Sequence, residues 1–244
     1  MTDASPAALA PGATRERDVR VSNLTVGGAA VALGSLGVTA ASVLYALSPP
    51  AAALPAQPFN YALALALAGA VAGARTMFGA GTVGIFSDIV MAVGALLVAS
   101  ELARRGRGVA AAGWIAILLS IVVFTFVDAI VGYVLGPVAA MKDAAAAFTG
   151  FKRLFDVLFL LGTTAFGAGA TLALTNEMRS AVPMASRPVV LAGAMTGLAG
   201  VLAAAACFAG FPLEQGVGIS IGLGSAVFVA IGLQMMLKSQ QGAL

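Results

Sequence analysis

Residues 109–135 read VAAAGWIAILLSIVVFTFVDAIVGYVL, an apolar run with a single charged side chain, Asp128. A helix crossing about 30 Å of hydrocarbon needs roughly 20 consecutive apolar residues at about 1.5 Å each, so this run is of membrane-spanning length. The pattern recurs on both sides of it. Toward the C-terminus come Leu154 to Leu174, Pro188 to Phe208 and Gly216 to Leu237. Toward the N-terminus, Leu24 to Leu47 is stopped by Ser48, Pro49 and Pro50, because proline lacks the N–H and clashes with the preceding turn. Between Phe59 and Leu102 the chain is apolar for roughly twice the bilayer thickness. Two spans are predicted there, with a break between Arg75 and Gly84, where a charge and then Gly79, Gly81 and Gly84 weaken the helix. The expected fold is an all-α polytopic transmembrane bundle of seven spans. Six spans plus a re-entrant segment over residues 59–75 is the alternative.

Composition excludes a soluble globule. Of the 244 residues, 60% are hydrophobic and 9% charged, against roughly 25% charged in an ordinary soluble domain. No polar stretch outside the spans is long enough to build a second domain, so residues 21–244 form one transmembrane domain. Residues 1–20, rich in Ala, Pro, Thr and charge, are expected to be a mobile tail. Arg15, Arg17 and Arg20 before Leu24 superficially fit a signal peptide with cleavage near Ala51 to Ala56, but the apolar run is too long for a typical h-region. The net charge of +3 is spread over loops rather than gathered on one face, which argues against a nucleic-acid partner. The expected partners are the lipid bilayer and either other membrane subunits or a second copy of the chain.

Histidine is absent and Cys207 is the only cysteine. Haem ligation by histidine, His-based zinc or copper sites, iron–sulfur clusters and Cys-pair redox chemistry all need ligands that this chain does not carry. No cofactor and no metal are expected. Cys207, inside an apolar run, reads as a small packing residue.

Charge bias sets membrane orientation through Lys and Arg in short loops. With seven spans the thirteen basic residues divide six against seven and choose nothing; with six they divide nine against four. A faint internal repeat favours the odd count. Ser22-Asn23, Ser87-Asp88 and Phe155-Asp156 each open a predicted span, and a glycine follows both acids after six residues, at Gly94 and Gly162.

A charge inside a span costs on the order of 2.5–3.5 kcal/mol on insertion scales and needs a partner, a hydrated cavity or an interface. Asp128, deep in Phe124 to Ile130, is the first candidate for a proton or cation site. Its plainer reading is an uncharged acid hydrogen-bonded to a neighbouring helix. Asp88 and Arg75 read as a pair meeting across the bend between two spans. Asp156 follows Lys152 by four residues and Arg153 by three, so one helical turn neutralises it locally.

Catalysis finds little to work with. An aspartyl intramembrane protease would need Gly-x-Gly-Asp, whereas the acids stand in Phe-Ser-Asp, Phe-Val-Asp and Phe-Asp-Val contexts. A serine protease needs a His or Lys base inside the bundle, and the sequence offers neither there. Glycines at four-residue spacing (Gly69 and Gly73, Gly193 and Gly197, Gly218 and Gly222) permit close helix packing. Trp114 and Tyr133 fit interfacial positions at the two ends of their span. Met235 and Met236 read as packing or lipid-facing residues. Asn23-Leu24-Thr25 matches a glycosylation acceptor but touches a span.

From Phe124 to Leu237 the chain resembles uncharacterised bacterial multi-pass membrane families of unknown function. The resemblance rests on Asp128 followed by Gly136 and Pro137, on Leu154 to Gly162, on a charged loop with Arg179 and Arg187, and on a Gly-rich last pair of helices. It covers under half the chain, implies a bacterial inner-membrane bundle and carries over no catalytic residue. The function expected is noncatalytic, as an accessory or structural subunit of a membrane complex. The alternative is a small proton- or cation-coupled carrier or channel using Asp128.

Overall fold

The computed structural model describes residues 22–46, 63–211 and 213–242. Among these the chain is helical throughout: α1 Asn23–Ala46, α2 Leu63–Arg104, α3 Gly108–Ala129, a π-helical turn Ile130–Leu135, α4 Gly136–Ala139, α5 Ala145–Met178, α6 Arg187–Phe208 and α7 Glu214–Gln240. The π turn joins α3 to α4 in one rod, so six helices are long and apolar enough to cross a membrane. This is a multi-pass membrane protein. The expected mobile tail and the proline-rich loop before α2 lie outside the described residues.

The break expected between Arg75 and Gly84 is absent. α2 runs unbroken for 42 residues, about 63 Å at 1.5 Å per residue, and neither a seventh span nor a re-entrant segment is found among the described residues. Glycine weakens a helix in water, but inside this bundle it is where neighbours approach. A methyl group added at Gly81 would lie 2.6 Å from the carbonyl oxygen of Asp128. The proposed repeat fails with the break, since Ser87-Asp88 sits in mid-helix instead of opening a span.

The six rods form a closed ring in the order α1, α2, α3, α5, α6, α7 and back to α1. Five of the six seams are glycine contacts in which backbone meets backbone. Gly27 meets Gly94, Gly28 meets Gly232, Gly81 meets Gly132, Gly113 meets Gly169, and Gly167 meets Gly197. Lipid offers no hydrophobic drive for helices to associate, so dispersion over such close approaches holds them together. Of the spaced pairs expected from the sequence, Gly197 packs backbone to backbone and Gly193 meets side chains, whereas Gly218 and Gly222 face open space.

One face of the bundle is basic. Arg104, Arg105, Arg107, Arg179, Arg187 and Lys238 all fall at helix ends there, and both α1 and α7 have their outer ends on it. Glu101 pairs with Arg104 and Arg105, and Arg107 pairs with the fully buried Glu177. The turn from α2 to α3 closes through Gly106 at φ +72°, with the Arg107 N–H donating to the Leu102 carbonyl at 2.9 Å. That left-handed position is one a side chain would strain.

The loop after α5 folds inward across this face. Glu177 accepts from the Met184 N–H at 3.0 Å, Gln234 accepts from the Ser186 N–H at 2.6 Å, and Lys238 donates to the Pro183 carbonyl at 2.9 Å. Met184 and Ala185 are buried in the main core with Leu102, Trp114, Phe228 and Met235. Trp114, expected at an interfacial position, does not face outward. It is fully buried, edge-on to Phe228 with centroids 5.8 Å apart. Tyr133 does stay on the outer surface, hydrogen-bonded to Thr82 at 2.8 Å.

At the opposite face the rods are unequal. Antiparallel packing of Gly34 on Met91 and of Gly27 on Gly94 brings the end of α1 level with about residue 79 of α2. The first turns of α2, the π turn with α4, and the start of α5 continue beyond it around Ala66, Ala70, Leu135 and Phe148.

Candidate functional site

Where α1 ends and the long helices continue, the ring holds a cavity of about 610 Å³. Its wall draws on α1, α2, the α3 and π segment, α5 and α7, and it is mostly apolar. The polar groups facing it are Asp128, Tyr45 and Ser42; Phe155 and Phe159 supply aromatic surface. Asp128 is the one charged residue of the wall.

Several features put Asp128 there. Its carboxylate packs directly on α2, and a methyl group at Gly84 would collide with it. The helix turns from α to π immediately beyond it, at Ile130. The cause lies downstream in Pro137, which has no N–H to give the carbonyl four residues back and whose ring crowds it, so the backbone widens by one residue before the proline. The Gly136-Pro137 step expected to end the span instead sits inside a rod that continues to Ala139. The π turn also presents Gly132 to Gly81, which fixes the distance of this rod from α2.

Asp88 is not part of the cavity wall and is 3% exposed. Thr125 donates to it at 3.4 Å, and Asp128 is within electrostatic range. The expected pair with Arg75 is not formed. On one continuous helix, thirteen residues place the two about 20 Å apart along the axis. Arg75 instead faces outward, beside a second hollow of about 400 Å³ shared with Phe78 and Pro137.

Asp156 does pair with Lys152, as the spacing suggested, and the pair lies inside the protein. Both are fully buried, at 1% and 0% exposure, with the Lys152 ammonium also 5.2 Å from the Phe155 ring centre. Arg153 points to the outside. The Tyr45 hydroxyl lies within electrostatic range of both Asp156 and Asp128. Asp128 thus lies within electrostatic range of Asp88, and Tyr45 within range of both Asp128 and Asp156, while Arg75 stays apart. Tyr45 and Phe159 were missed in the sequence, where nothing distinguishes them from ordinary packing residues.

Apart from Ser35, which donates to the Met91 sulfur at 3.6 Å, the buried hydroxyls elsewhere are satisfied within their own helices. Ser87, Ser120, Thr163, Ser220 and Ser225 each donate to a carbonyl three or four residues back. Among the described residues no cluster of His, Cys, Asp and Glu could hold a metal ion. Cys207 is buried with Leu160, Ala204 and Val217, the packing role expected of it.

Compared with known proteins, the chain matches no family model, no curated protein and no solved structure.

Proposed function

We propose that the protein is a small noncatalytic carrier that takes a solute or ion into the Asp128 cavity from one face of the membrane. The observation that carries this reading is a cavity of about 610 Å³ with a carboxylate in its wall, while the other end of the ring is filled by Trp114, Phe228 and the inward-folded loop at Met184 and Ala185. Pockets of roughly 300–1,000 Å³ are the usual size for small-molecule sites. An accessory subunit with a purely structural role would gain nothing from leaving such a volume unfilled, because lost packing costs stability.

The basic face is the cytoplasmic one in this reading. With Arg15, Arg17 and Arg20, which precede α1, it carries nine of the thirteen Lys and Arg, the bias expected of the inner side. The cavity then faces outward. A bacterial inner membrane is the proposed setting.

The test is proton or cation flux into liposomes containing the purified protein. Asp128→Asn is expected to abolish flux while leaving the melting temperature and gel-filtration profile unchanged. Flux equal to wild type in that variant refutes the assignment. Stoichiometric recovery with other membrane subunits from native membranes, with no flux in isolation, would instead return the protein to an accessory role.

A further inference from the structure

Resting on the reading of the cavity as a binding site, we infer that its ligand is an organic cation with an apolar body, an alkyl- or aryl-substituted ammonium or its like, rather than an inorganic ion or an anion. Size argues first. At about 610 Å³ the cavity equals roughly 20 waters at their liquid volume of about 30 Å³ each, far more than a dehydrated metal ion or a proton relay fills. A wall with mostly aliphatic and aromatic surface is a poor host for that much ordered water, and an apolar body of matching size would displace it favourably.

Charge argues next. Asp128 is the one charged residue of the wall. Lys152, three residues before the wall residue Phe155, does not line the cavity. It is held by Asp156 and by the Phe155 ring, so it does not offset Asp128 in the space where a ligand would sit. An anion would meet a carboxylate and no cation in the wall; a cation would meet its counter-charge in surroundings where the attraction is weakly screened.

Aromatic surface completes the match. Phe159 and Tyr45 join Asp128 in the wall, with Phe159 stacked on Phe155 at 5.7 Å. Ring faces attract cations that are poorly hydrated, and alkyl- or aryl-substituted ammonium and phosphonium groups are of that kind. A carboxylate on one helix with rings on two others recognises charge and apolar bulk together.

The probe is radiolabelled tetraphenylphosphonium, measured by equilibrium binding to the purified full-length protein in detergent and in lipid nanodiscs. Saturable binding is expected in the wild type, weakened at least tenfold by Asp128→Asn, retained within a few-fold by Asp128→Glu, and abolished by Val38→Trp, which fills the cavity from α1. Uncharged triphenylphosphine oxide is expected not to compete. No saturable binding to wild type, binding indifferent to both Asp128→Asn and Val38→Trp, or equal competition by the neutral analogue would each overturn the proposal. If Asp128-dependent proton flux persists in liposomes while the phosphonium does not bind, the ligand class falls and the carrier reading stands. If neither is seen, both fall.

Discussion

Replacing Lys152 by Met would test whether the buried pair with Asp156 holds the structure together. Lys152 and Asp156 are 0% and 1% exposed, one turn apart on α5, and Asp156 Oδ2 has no hydrogen-bond partner among the described residues. Removing the ammonium therefore leaves the carboxylate with no second donor to fall back on. Breaking a buried pair from one side costs about 3–5 kcal/mol, and loss of the contact with Phe155 adds on the order of 1 kcal/mol. For a chain of this size each kcal/mol lowers the melting temperature by roughly 2–4 °C, so a drop on the order of 10 °C is expected. The single cysteine provides the assay. Cys207 is 4% exposed and reacts with a fluorogenic maleimide only as the bundle opens, which gives a melting curve without added labels. The double variant Lys152→Met/Asp156→Leu removes both charges and is expected to recover most of the loss, since an apolar replacement of a buried pair is often neutral or better. A Lys152→Met protein melting within about 2 °C of wild type, or a double variant no better than the single, would show that the pair contributes little.

Three further outcomes are expected. Gly113→Ala places a methyl group 2.6 Å from the Ala173 nitrogen and should destabilise by about 1–3 kcal/mol, whereas Gly222→Ala, facing open space, should be neutral or stabilise by about 0.5–1 kcal/mol; the same melting assay separates them. Glu177→Ala removes the acceptor of the Met184 N–H and the partner of Arg107, so amide exchange over residues 180–186 should accelerate while exchange in the middle of α5 does not; unchanged exchange in the loop would show that other contacts hold it. In a Cys207→Ala background, Ser5→Cys, Arg179→Cys and Gln241→Cys should label from one side of sealed vesicles and Lys142→Cys from the other, and a label at position 5 on the Lys142 side would restore an odd number of spans.

Much of this fold is legible in the sequence because punctuation in a membrane protein is chemical. α6 begins at Arg187, one residue from the start expected at Pro188, and ends at Phe208 as expected. What misleads is a rule calibrated in water. Gly79, Gly81 and Gly84 look like the weak point of a long apolar block, yet Gly81 and Gly84 are where the π turn and Asp128 come closest to α2. Trp114 looks interfacial because tryptophan favours that zone, but its distance along the span does not reveal which side of the helix it occupies. The candidate site divides in the same way. Asp128 declares itself by its apolar neighbours and Asp156 by its spacing from Lys152, whereas the meeting of Tyr45, Asp128 and Phe159 around one cavity depends on the register of three helices, which no local pattern encodes. The Arg75 pairing with Asp88 needed the bend, and without it the two are simply far apart.

The seam between α6 and α7 differs from the other five. A methyl group at Gly200 there would lie 3.0 Å from the hydroxyl of Ser220, one at Gly193 would meet Val227 and Ile231, and one at Gly224 would meet Thr196, so each of these glycines faces side chains of the neighbouring helix rather than its backbone. Two backbones in contact have nothing left to yield, but side chains exchange rotamers at small cost. The ring is thus a collar with five riveted joints and one hook. Any change of girth concentrates at the hook, and the helices flanking it would move while the rest turns as a block.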